Sequence, residues 1–346
     1  MKGTIEARKS RWVDFYDLKK EPSQMFFLRL PENEPVRPLP HPDKKKERIE
    51  WIWEHYLNQM EKTSWLDDDS IPHLDMLTGT EIFAEALGCA VHRPEDAMPF
   101  ALPFITEASQ VSAVKVPGLD TPCLKMLFDM ADELRKRGGP EAVFRMVDVQ
   151  SPMDIAALMW EKTSFFIAMT EPEQIEAIKE LAAKAYKLII IFLEEWFSRY
   201  GRGFVAHFPD YYMPEGITLS EDEIGCVSPD TYKELFHPEL VKLSEHFGGI
   251  GIHCCADSRH QWAGFKSIPG LKLLNLNRTS KVLREAYPFF GSDIAQMHIP
   301  TDGIWPLTWM EPVKNRVVFQ IESKTKEEAI ELAPRIRQKL GKQGNK

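Results

Sequence analysis

The chain has 346 residues, 43% of them hydrophobic and 27% charged. These proportions fit a folded globular protein and exclude disordered, collagen-like and coiled-coil architectures. Forty-three basic residues against 52 acidic ones give a net charge of −9, which argues against nucleic acid or an anionic membrane surface as a partner.

The first twelve residues, MKGTIEARKSRW, carry charges where a secretion signal needs an apolar core of roughly 7–15 residues, so a cytoplasmic protein is expected. Met25–Leu30 is the first of eight short apolar runs that read as buried strands. The others are Pro72–Leu77, Phe144–Gln150, Phe204–Phe208, Gly249–Cys255, Leu271–Asn277, Tyr287–Ser292 and Arg316–Glu322. Pro31–Arg48, rich in proline and charge, reads as a surface loop. Helical spacing at i, i+3 and i+4 marks Asp120–Gly138, Glu173–Tyr200, Ser228–Phe247 and Thr325–Leu340. The aliphatic run Leu188–Leu193 lies inside one of these helices and is far shorter than the ~20 residues that span a bilayer.

Strand and helix alternating in this way predict parallel βαβ units. The expected fold is α/β, a single (β/α)8 TIM-type barrel with additional N-terminal helices. Residues 1–70 supply an N-terminal strand, loop and helical extension, and 71–346 supply the remainder of the one domain. Ser151-Pro152 and Ser228-Pro229 place a serine cap before a proline at two helix starts. In a parallel barrel such strand-to-helix junctions form the face that carries active sites, so strand-end residues are the candidates.

The densest group is Gly251-Ile252-His253-Cys254-Cys255. Residues i and i+2 of a strand share a side, so His253 and Cys255 can aim an imidazole and a thiolate at one point, which suits zinc. A pair of small buried cysteines beside a hydrogen-bonded histidine is the plainer alternative. Glu221-Asp222-Glu223 reads either as a solvated loop or as a carboxylate group at a strand end. Arg29, Asp75, Gln150, His207, Asp210 and Glu322 are further polar residues at strand ends. The five cysteines form an irregular odd set, read as free thiols. Phosphate-loop, dinucleotide-binding, hydrolase-elbow and zincin motifs are all missing.

Gln150-Ser151-Pro152-Met153-Asp154-Ile155-Ala156 resembles the G-x-P-[FWL]-x-[LI]-A segment of the uroporphyrinogen decarboxylase superfamily. Glu171-Pro172-Glu173-Gln174 resembles its P-E-x-V helix start, and Val227-Ser228-Pro229 through His237-Pro238 resembles its S-P-x-x-Y-x-x-F-x-x-P block. Phe247-Gly248-Gly249 through His253-Cys254-Cys255 resembles its G-G-x-x-I-H-x-C-G segment. The resemblance implies a (β/α)8 barrel with extra N-terminal helices.

Two chemistries follow from it. In the corrinoid-dependent methyltransferase branch the His-x-Cys pair binds zinc, and a methyl group passes between cobalamin and a small acceptor or donor. His253 and Cys255 match that pair. No cysteine follows Cys255, and Glu322 is the geometric candidate for a third ligand. In the decarboxylase branch arginines bind the carboxylates of a tetrapyrrole; Arg29 matches the first of them, and Asp222 is the nearest equivalent of the pyrrole-binding aspartate. The expected site is therefore Asp222 and His253 as catalytic groups and Arg29, Gln150, His207, Tyr211 and Tyr212 around the substrate. His253, Cys255 and Glu322 would bind zinc. The expected partners are a small-molecule substrate and a corrinoid, free or on a separate protein. A non-catalytic corrinoid- or tetrapyrrole-binding protein is the third reading.

Overall fold

A computed structural model describes residues 2–31, 36–303 and 314–341. Residues 32–35, part of the predicted Pro31–Arg48 loop, lie outside the described residues.

The strands are β1 (Gln24–Arg29), β2 (His73–Asp75), β3 (Ala90–His92), β4 (Phe100–Leu102), β5 (Val143–Arg145) and β6 (Phe204–Val205). They continue with β7 (Tyr212–Met213), β8 (Ile217–Ser220), β9 (Ile250–Cys254), β10 (Leu271–Leu276), β11 (Ala295–His298) and β12 (Val317–Glu322). Hydrogen bonding orders them as β1-β12-β11-β10-β9-β8 and as β2-β5-β6-β7, with β3-β4 a separate antiparallel hairpin. The two arcs meet twice. On one side the chain beyond β5 pairs with β8: Ser220 N–H donates to Val149 O at 2.9 Å and Ser151 N–H to Ser220 O at 2.8 Å. On the other side, between β1 and β2, two carboxylates bridge the arcs. The outward N–H groups of Phe26 and Leu28 donate to Asp69 Oδ2 at 3.0 Å and to Asp68 Oδ2 at 3.1 Å. The ring β1, β2, β5, β8, β9, β10, β11, β12 thus makes a TIM-type barrel of eight parallel staves.

Buried carboxylates need compensation, and arginines supply it. Arg8 and Arg11 come from the N-terminal helix Lys2–Tyr16 and Arg337 from the helix Lys326–Gly341. Arg8 meets Asp68 at 3.1 Å, and Asp69 takes Arg11 at 2.7 Å and Arg337 at 3.0 Å. The N-terminal helix is therefore a clasp on the seam.

Seven of the eight predicted strand runs coincide with observed strands. The exception is Tyr287–Ser292, which continues the helix Ser280–Phe290 and then stops at Gly291, whose φ of 74° suits glycine. Tyr287, Phe289 and Phe290 give an apolar run whose period over four residues does not separate strand from helix. Of the seven, β6 pairs with β5 and β7 and is not one of the eight staves, and the two staves outside the predicted runs are β8 and β11. Among the described residues no helix is long and apolar enough to cross a membrane.

Candidate functional site

At the C-terminal ends of the staves a cleft of about 340 Å³ brings together Gln150, His207, Asp222, His253 and Cys255, five of the residues expected from sequence. A neighbouring cavity of about 570 Å³ is lined by Phe27 and Arg29, and the two share Arg37, Asp75 and Arg145.

His253 is the fourth residue of β9, held between β8 and β10, and Cys255 is the first residue beyond its end. The i, i+2 geometry is as expected: His253 Nε2 lies 2.8 Å from Cys255 Sγ, while Cys254 is buried and turns its sulfur toward Ser258 Oγ at 3.3 Å. His253 Nδ1 faces Asn275 Oδ1 at 2.5 Å. An amide oxygen there accepts the Nδ1 proton, so Nε2 presents its lone pair to the sulfur and the thiol donates to it. Burial lowers the His253 pKa, and burial followed by the charge of Asp222 raises that of Cys255. The resting pair is a thiol beside a neutral imidazole.

Asp222 reaches the same point from the β8 side, accepting the backbone N–H of Cys255 at Oδ1. Beneath it lie two buried acids. Asp154, on the helix Pro152–Met159, is pushed up to about 7 by burial and then by Asp222. Glu221, fully buried, is raised well above its ordinary range by burial and then by Asp154. A carboxyl out of water without a cation beside it favours its protonated form.

His207 sits across the cleft with Nε2 at 2.9 Å from Ser220 Oγ and 3.5 Å from Asp148 Oδ1. Burial, then His253, depresses its pKa far below the usual range, so it stays neutral. Gln150 donates from Nε2 to Asp148 Oδ1 at 2.6 Å.

The cations of this face are engaged. Arg145 meets Asp75 at 2.6 Å and Asp210 at 3.0 Å, and Arg29 is paired with Asp210. Burial acts to raise Asp75, yet Arg145 and then Arg37 hold it down to about 2. Arg29 therefore lines the larger cavity instead of the cleft that holds His253.

Three expected site residues lie elsewhere. Tyr211 is fully buried inside the barrel, its hydroxyl so close to Gly251 that a Cβ there would lie 2.3 Å from it. Tyr212 is buried with its hydroxyl against Gly203. Both belong to the packing that supports the cleft, because an aromatic next to Asp210 on this short hairpin points to the core. Glu322 is exposed at the end of β12, in register with Arg29, and lines neither cavity. Among the described residues no three His, Cys, Asp or Glu side chains converge as a metal site. Asn275 and Asp154 were not anticipated. Asn275 had a signal, an amide inside the apolar run LKLLNLN; Asp154 had none beyond its place near a helix start.

The sequence model of one protein family, described as uroporphyrinogen decarboxylase (URO-D), matches residues 74–297. No curated protein sequence matches the chain. Of the solved structures, 22 chains match. One, a methyltransferase from Methanosarcina mazei, superposes with a TM-score of 0.65 at 12% identity, over 96% of this chain and 98% of its own. At that identity the likeness is one of fold.

Proposed function

Since the chain belongs to the uroporphyrinogen decarboxylase family, matched over residues 74–297, we propose that it is a methyltransferase of that barrel class, working at Cys255 and His253. The proposed reaction moves a methyl group between a corrinoid and a small-molecule acceptor or donor. The observation that carries this reading is the convergence of Cys255 Sγ and His253 Nε2, 2.8 Å apart in an open cleft, with Asn275 fixing the imidazole. A cleft of about 340 Å³ admits a small molecule. A corrinoid, free or carried by a separate protein, would sit at its mouth beside the exposed Phe208 and Met98.

The donor set fits zinc in part. Sulfur and imidazole nitrogen are its preferred ligands, and Cys255 and His253 would supply one of each. Bound zinc would supply the positive charge that keeps a thiolate at neutral pH. That charge matters here because burial and Asp222 both favour the thiol form of Cys255. His253 would offer its Nε2 lone pair to the ion, with Asn275 holding the Nδ1 proton and Asp222 the Cys255 backbone.

Decarboxylation of a polycarboxylated tetrapyrrole is the weaker reading. It needs arginines free to bind several carboxylates, and Arg29 and Arg145 are already committed to Asp210 and Asp75. A binding protein without catalysis would have no use for a thiol and imidazole aimed into the cleft. The test is a zinc titration of the wild type and Cys255→Ser, with methyl transfer from methylcobalamin to simple thiols followed in parallel. Stoichiometric uptake by the wild type, lost in Cys255→Ser together with activity, is expected. Negligible uptake by both, with uroporphyrinogen consumed at an appreciable rate, would overturn it.

A further inference from the structure

The backbone ladder that joins β8 to the chain beyond β5 stops at Ser220, yet Asp222, two residues later, is placed closely enough to take the N–H of Cys255. The helix Pro152–Met159 supplies the missing support. Asp154 is its third residue, 5% exposed, with its own N–H donated to Ser151 Oγ at 2.9 Å. An aspartate in the first turn of a helix ordinarily serves the free amides of that helix. This one serves another element: Oδ2 accepts the N–H of Asp222 at 2.8 Å and Oδ1 the N–H of Glu223 at 3.0 Å.

We propose that Asp154 is a positioning residue for the Cys255 thiol, fixing through two consecutive amides the turn from which Asp222 clamps the Cys255 backbone. The linkage runs without a gap from the Ser151 cap to Asp154, from Asp154 to the 222–223 amides, and from Asp222 to Cys255. A second tie, Glu221 N–H to His253 O at 2.9 Å, attaches the same turn to the imidazole's own residue. Both oxygens of Asp154 are used, so asparagine cannot replace it: its amide nitrogen would face one of the two donors. The inference rests on the reading of Cys255 as the working thiol, but its geometry does not depend on a metal.

The test is the rate at which iodoacetamide alkylates Cys255, read by peptide mass spectrometry in the presence of EDTA. Wild type, Asp154→Asn, Asp222→Ala and the double variant are compared, with the half-buried Cys123 as an internal reference. Freed from the clamp, Cys255 should react about fivefold faster in each single variant, within the coupling expected of one hydrogen-bond network. The double variant should match Asp222→Ala, and Cys123 should not change. A merely structural role for Asp154 would accelerate both cysteines and add to the Asp222 effect, which would overturn the proposal, as would a wild-type rate in Asp154→Asn. If Asp154→Asn does not fold, hydrogen exchange of the wild type decides. Protection of the 222 and 223 amides well above that of an open loop is expected, and loop-like exchange would overturn the idea. Failure of zinc uptake to respond to Cys255→Ser would sink the proposed function and leave the alkylation result standing.

Discussion

Asp67-Asp68-Asp69 lies just ahead of β2, and Glu221-Asp222-Glu223 follows β8, so each run of three acids stands where two arcs of the barrel meet. At the first, Asp68 and Asp69 take the place of a β-ladder, and Arg8, Arg11 and Arg337 converge on them. At the second, the only ion pair among the described residues is Glu223 with Lys162 at the outer edge, and the inner acids lie against Asp154 and one another. The first is a set of compensated charges that locks structure. The second keeps carboxyls out of water with no cation, an arrangement that is unfavourable for folding and is typical of places where charge is used. What separates them is whether an arginine from another element can reach the site.

The comparison can be broken first at the seam. Asp69→Ala removes an acceptor of the Phe26 N–H and leaves Arg11 and Arg337 without their buried partner. A loss of about 3–5 kcal/mol in urea unfolding is expected, and a loss below ~1 kcal/mol would mean that the carboxylate does not replace the ladder. At the other turn, Asp154→Ala leaves two backbone amides without their acceptor, for an expected loss of about 1–3 kcal/mol. Here the pH dependence separates the two regions. Asp154, at about 7 in the folded protein, lies above its unfolded value of about 3.9, so the native state holds a proton that the unfolded chain has released. Its contribution is complete below about pH 4 and declines as pH rises through 7. Asp75, held to about 2, does the reverse: its contribution is present above about pH 4 and is lost as pH falls through 2. Chemical denaturation from pH 4 to 8 should therefore show a decline in wild type that flattens in Asp154→Asn.

A smaller effect sharpens the site side. Asn275→Ala removes the partner of His253 Nδ1, and zinc affinity should fall about 10- to 100-fold, as for other supports of a ligating histidine. An unchanged affinity would show that the imidazole needs no such support. Smallest of all, Asp67→Asn should change stability by less than about 0.5 kcal/mol, since its carboxylate is 69% exposed and its arginine contacts are at 3.5 and 3.7 Å.

Much of this was legible in the sequence, for identifiable reasons. The barrel showed through because β1, β9, β10 and β12 are buried on both faces and so read as continuous apolar runs. β11 did not, because its buried residues include Gln296 and His298, and β8 did not, because its buried Thr218 and Ser220 alternate with Ile217 and Leu219 and break the apolar run. His253 and Cys255 were legible because the strand period alone fixes their common side. The larger errors came from contacts distant in sequence. Nothing near Arg29 announces Asp210, and nothing near Tyr211 announces the close approach of Gly251. The two acidic runs could not be told apart, because the arginines that distinguish them lie in the first and last helices described.

The seam also bears on the order in which the protein folds as it is synthesised. β1 has a full ladder with β12 but, toward β2, two side-chain ties and the single backbone bond from Asp69 N–H to Phe26 O, and Arg29 of β1 and Gln320 of β12 touch across 291 positions of sequence. A nascent chain carrying β1 through β11 thus holds its first strand by a clasp of Arg8 and Arg11 on Asp68 and Asp69, with one hydrogen-bonding edge bare. Ring closure waits for the last stave, and pairing over such a separation is slow and leaves edges exposed to other chains meanwhile. The N-terminal helix, through Arg8 and Arg11 on Asp68 and Asp69, supplies the ties to β1 that do not depend on β12.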